Sequence, residues 1–107
     1  MISVTIKENS WMAKIAALKL NEKKIAMVWG NTILLHNTSK AEFLLNKKWL
    51  KHEIAHIKQY NKYGLVRFVF LYMMESFNNG YLNNRFEVDA RSMERDLTIL
   101  DGIEIIN

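Results

Sequence analysis

Apolar and polar residues alternate over ISVTIK (2–7), so Ile2, Val4 and Ile6 share one face. That is the period of a strand. The period then lengthens. In NSWMAKIAALKLN, Trp11, Ile15 and Leu18 recur at i, i+4 and i+7, after Asn9 or Ser10 as N-cap. This predicts an amphipathic helix over about 10–20. Two β-prone runs follow, KIAMVW and TILLHN, joined by Gly30-Asn31. A two-residue Gly-Asn junction between such runs predicts a hairpin, here over 25–37. Ser39-x-x-Glu42 reads as a capping box that starts a short helix near Lys40. A longer helical pattern runs over about 47–61. Gly64 separates it from a third, 65–78, which is apolar nearly all round and is expected to be centrally buried. NNGYLNN (78–84) has loop composition, FEVDARSMERDL returns to helix, and TILDGIEIIN reads equally as a strand or an arm.

These elements predict an α+β fold. A small antiparallel sheet carries ISVTIK and the 25–37 hairpin, packed on the 47–61 helix and the apolar 65–78 helix. The chain has 107 residues, half of them hydrophobic, which suits one domain over 1–107 with a modest core. There is no cysteine to form a disulfide or a thiolate metal site. MISVTIKENS lacks the layout of a signal peptide. The most apolar run, FVFLYMM, is far short of the roughly 20 residues that a membrane span needs. A cytoplasmic protein with no membrane partner is the expectation. The net charge is +4. Residues 1–84 hold 12 basic and 5 acidic side chains; residues 85–107 hold 3 and 6. No basic run exceeds two residues, so a nucleic-acid partner is not expected.

The chemistry concentrates in WLKHEIAHIKQY (49–60). Residues four apart on a helix lie one above the other, so His52 and His56 can turn toward one ion. Leu50, Ile54 and Ile57 form the opposite stripe and would anchor the helix. Glu53 is rotated by about 100° from His52, placed to reach a water on the ion rather than the ion itself. Two ligands and one general base is the division of labour of metal-assisted hydrolysis. A catalytic zinc needs a third protein ligand and an open position. No histidine follows His56, so Glu75 and Glu87 are the candidates. Glu87 is favoured because Ala90, one turn on, lets its helix approach closely.

HEIAH followed by FEVDA resembles the gluzincin metallopeptidases. The longer stretch WLKHEIAHIKQYNKYGLVRFVFLYMMES…GYLNNRFEVDAR is similar to their smallest single-domain group, the minigluzincins, over about residues 30–92. The resemblance implies zinc as cofactor, with His52, His56 and Glu87 as its ligands and Glu53 as the general base. It also implies a peptide or protein substrate. Many gluzincins have an aspartate four residues after the ligand glutamate, orienting a ligand histidine; here that position is Arg91. Asp89, about 200° round the helix from Glu87, does not simply replace it. The strand TILLHN is expected to border the substrate groove, with His36 and Asn37 near its end. His36 is a candidate polar group for the oxyanion or else an exposed strand-end histidine, and Tyr81 is a similar candidate. The tail LTILDGIEIIN, with Asp101 and Glu104, is expected either to lie over the cleft and restrain activity, as in latent members of the group, or to form an edge strand. The leading expectation is a zinc-dependent peptidase. The alternatives are a zinc-binding domain without turnover, or a latent proenzyme blocked by its tail. A basic nucleic-acid-binding module ranks last.

Overall fold

The computed structural model describes residues 1–106. Strand β1 (Ile2–Lys7) leads into helix α1 (Trp11–Leu20), which Ser10 caps by accepting from the Ala13 N–H. The hairpin is β2 (Ile25–Trp29) and β3 (Thr32–His36). Gly30, at φ 63°, supplies the left-handed backbone of its turn. Helix α2 (Lys40–Leu45) opens on the complete Ser39–Glu42 capping box. Helices α3 (Lys47–Tyr63), α4 (Leu65–Asn83) and α5 (Arg85–Ser92) follow. A short 3-10 helix (Met93–Arg95) and strand β4 (Ile103–Ile106) come last. Residues 78–84 are therefore not simply a loop. Helix α4 continues into them until Gly80, at φ 77° and ψ 169°, breaks its backbone.

The fold is α+β, but the sheet is mixed rather than antiparallel. Its order is β2-β3-β1-β4. Only the hairpin is antiparallel; β1 runs parallel to both β3 and β4. The reason is connectivity. Strand β2 runs opposite to β1 and carries the chain back, so β3 repeats the direction of β1; α2 to α5 then make the crossover from β3 to β4.

Val4 of β1, Ile33 and Leu35 of β3, and Ile54 and Ile57 of α3 are fully buried in one cluster with Phe43. Each such side chain contributes about 1.5–3 kcal/mol on burial. The α3 stripe thus anchors the helix to the sheet, leaving His52 and His56 on its other side. Tyr60 extends the attachment by donating to the Val28 carbonyl of β2 at 3.0 Å.

Two helices differ from their sequence reading. Helix α1 buries Ala13 and Ala17, while Trp11, Ile15 and Leu18 are exposed. Small residues allow close approach to β2 and β3, and the large ones are left outside. Helix α4 is not centrally buried: Phe68 is its one buried residue. Phe68 packs between Tyr60 and Phe86, at ring-centroid distances of 4.5 and 5.0 Å. The opposite stripe of α4, Val66, Phe70, Met73, Met74 and Phe77, is exposed.

The tail does not cover the cleft. Ile103–Ile106 pairs with Ile2–Thr5 at the edge of the sheet opposite β2. Ile99 is buried, and Ile103 and Ile105 pack against the core. Burial of these three isoleucines outweighs any attraction of Asp101 and Glu104 to a basic surface. Asn107 lies outside the described residues.

Candidate metal centre

His52 and His56 project from α3 toward the first turn of α5, where Glu87 stands. Asn84 positions that turn. Its side chain, fully buried, accepts from the Phe86 N–H and donates to the Tyr72 carbonyl and Ser76 hydroxyl of α4. Ala90, also fully buried, occupies the face one turn after Glu87.

The Glu87 carboxylate bridges the histidines. Its Oε1 lies 3.0 Å from His52 Nε2 and its Oε2 lies 3.1 Å from His56 Nε2. Each of the three residues offers a ligand atom within 4.8 Å of the others, so the group could hold a metal ion. In a tetrahedral site with bonds of ~2.0–2.2 Å, ligand atoms are separated by roughly 3.2–3.6 Å, and the observed spacing needs little adjustment to match.

The tautomers also fit. His52 Nδ1 donates to Glu94 Oε2 at 2.7 Å, a carboxylate that can only accept when ionised. His56 Nδ1 lies 2.8 Å from Gln59 Oε1. The Gln59 amide nitrogen donates to the Phe86 carbonyl and to Asp89, each at 3.1 Å, which fixes the amide so that its oxygen faces His56. With both Nδ1 atoms held as donors, loss of the Nε2 protons that face Glu87 would leave both Nε2 lone pairs directed at the centre. Partners of this kind orient metal-binding histidines and raise their basicity.

Glu75 stands elsewhere. Its carboxylate accepts from the Arg85 N–H at the start of α5 and from Asn79, both at 3.1 Å. Helix α4 instead sends Tyr72 to the centre, where its hydroxyl donates to Glu87 Oε2. Arg91 points away and donates to the Leu82 carbonyl. The carboxylate on His52 thus comes from Glu94, two turns after Glu87 rather than one. Asp89 acts on His56 only through Gln59. Gln59 and Glu94 were absent from the sequence reading, although His56 + 3 and Glu87 + 7 both share a helix face with a ligand.

Glu53 is buried and opens onto the same cleft. Burial pushes its pKa up, the positive charges of His56 and His52 oppose this, and it comes to about 7. Burial alone would lower His52. Its hydrogen bond to Glu87, the charge of Glu53 and the bond to Glu94 outweigh that and raise it to about 9. For Glu87, burial raises the pKa, but hydrogen bonds from His52 and His56 prevail and hold the carboxyl well below the usual range.

The cleft has a volume of about 350 Å³ and is otherwise mainly apolar, with Met27, Trp29, Val69 and Met73 in its walls. It runs along β2, the sheet's edge strand, and not along the central β3 as expected. His36 sits at the end of β3, and the Asn37 side chain donates to the Lys23 carbonyl, so neither borders this cleft. Tyr81, just past the break at Gly80, does line it. Burial, then the charges of Glu87 and Glu53, raise the Tyr81 pKa and keep its phenol protonated.

No protein-family model matches the chain, and no curated protein or solved structure matches it significantly.

Proposed function

We propose that this protein is a zinc-dependent peptidase of the gluzincin type. The observation that carries the reading is the set His52, His56 and Glu87, with both imidazoles turned Nε2-inward, beside the buried Glu53 in an apolar cleft. Two imidazoles and one carboxylate suit zinc with an open position. A zinc ion held there would supply Lewis-acid polarisation of a carbonyl and acidify a water. Glu53, with its pKa near neutrality, is suited to take that water's proton and pass it to the leaving amine. Tyr81 offers its hydroxyl to the carbonyl oxygen as negative charge builds there. The edge of β2 away from β3, where Tyr60 already holds the Val28 carbonyl, offers its remaining main-chain groups to an extended peptide.

The test pairs metal content with peptide cleavage, for the wild type and for Glu53→Gln. Both proteins should bind one zinc. Only the wild type should turn over, with the variant slower by a factor on the order of 10²–10⁴. Loss of metal from Glu53→Gln would refute its assignment as base. Stoichiometric zinc with no cleavage by either protein would leave a binding domain and sink the peptidase reading.

A further inference from the structure

Helix α1 buries its alanines and exposes its large side chains. Trp11 and Leu18 are 71% and 74% exposed, and Ile15 is 46% exposed. At about 100° per residue, the three fall within roughly 60° of arc and form one apolar ridge. The ridge faces away from Ala13 and Ala17, which hold the helix to the sheet. Lys14 and Lys19, both exposed, flank it at roughly 60–80° to either side. Helix α1 contains no acidic residue, and residues 7–24 hold five lysines against two glutamates. The acidic end of the chain terminates in β4, at the sheet edge opposite β2, whereas α1 packs on β2 and β3.

A tryptophan-containing apolar ridge with a lysine on each flank is the layout of a helix lying in a lipid interface. The lysine stems run along the apolar surface and their ammonium groups reach upward to anionic headgroups. We infer that α1 is an interfacial anchor that seats the protein on an anionic lipid bilayer. Trp11, Ile15 and Leu18 enter the boundary between headgroups and acyl chains, and Lys14 and Lys19 meet the headgroup phosphates. A second copy of the chain fits less well, because pairing two such ridges brings lysine against lysine. The exposed stripe of α4 is not flanked by cations in this way and carries no such assignment. Among the described residues no helix is long and apolar enough to cross a membrane. The contact lies in the plane of the surface, and it is weak and reversible. Ala16 and Leu20, on the inner side of α1, line the cleft, so the cleft opens beside the lipid.

Co-sedimentation of the full chain with phosphatidylcholine vesicles, with and without phosphatidylglycerol, tests this inference. Binding should require the anionic lipid and weaken as salt rises. Lys14→Gln and Lys19→Gln should each reduce partition about fivefold. Trp11→Ser combined with Leu18→Ser should reduce it at least about tenfold, with the circular dichroism spectrum unchanged because both residues lie outside the core. No partition onto anionic vesicles, equal partition onto neutral ones, or full binding by the double variant would each overturn the anchor. A lipid-free dimer that the same double variant dissociates would overturn it too, assigning the ridge to a second copy of the chain.

Discussion

Glu94 is the side chain whose replacement distinguishes a designed metal centre from three residues that merely meet. Its hydrogen bond to His52 Nδ1 keeps that nitrogen protonated, so the imidazole that gives up a proton to bind a metal does so at Nε2. Glu94→Ala should weaken zinc binding about 10- to 100-fold, measured by competition with a chromophoric chelator. Glu94→Gln retains an acceptor and should lose less; equal affinity for the wild type and Glu94→Ala would remove Glu94 from the centre. The same cluster makes the metal-free chain sensitive to pH. His52, raised to about 9, and Glu53, raised to about 7, both bind protons more tightly in the folded state. Their stabilisation is complete below the unfolded pKa of each, about 6.5 for histidine and about 4.3 for glutamate. It is lost as pH rises through 7 and then 9. Glu87 has the opposite sign, but its contribution is already in place above the ordinary carboxylate range. The metal-free protein should therefore melt lower at pH 9 than at pH 5. The effect is on the order of a few kcal/mol, read as a fall in the melting temperature. Saturating zinc should oppose this trend, because the ion binds deprotonated imidazoles. Thermal melts with and without chelator would show it, and parallel curves for the two forms would contradict the assigned protonation.

Among the elements, α3 was the most legible. Its buried stripe Leu50, Ile54 and Ile57 and its opposed histidines follow directly from the 3.6-residue period. The hairpin and the Ser39 cap were equally legible, because turn and capping chemistry are local, and Ser10 was one of the two caps, Asn9 or Ser10, that the sequence offered for α1. The direction of β1 was not legible. Parallel and antiparallel strands share a period of two, and only the crossovers decide between them. The burial of α1 and α4 was misread for a related reason. Periodicity shows that a face is apolar, not that a partner covers it. Strand β4 was one of two readings of the tail, decided by the pairing of Ile103 and Ile105 with β1. Its removal now has a definite expectation. A chain ending at Gly102 loses two partly buried isoleucines and a sheet edge, at a cost of about 2 kcal/mol. Denaturant titration should record that loss, with no gain in peptidase activity. Higher activity in the shortened chain would restore the covering-tail arrangement that the structure contradicts.

Across the whole molecule, the residues of the candidate metal centre fall between positions 52 and 94, on helices that follow one another in the chain. The sheet is wired differently. Ser3 meets Glu104 from 101 positions away, and β1 lies between β3 and β4. Joining such distant segments costs loop entropy before any contact is gained, which slows folding relative to local helix pairing. The two parts of the molecule are thus ordered in time. On the ribosome, the helices bearing His52, His56 and Glu87 emerge and can collapse together while β1 still lacks one neighbour. Strand β1 waits, with one edge open, for β4, which follows it by about a hundred residues. Its interior place in the sheet is completed only when β4 emerges, and until then that open edge is where a nascent chain of this protein is most exposed to pairing with the wrong strand.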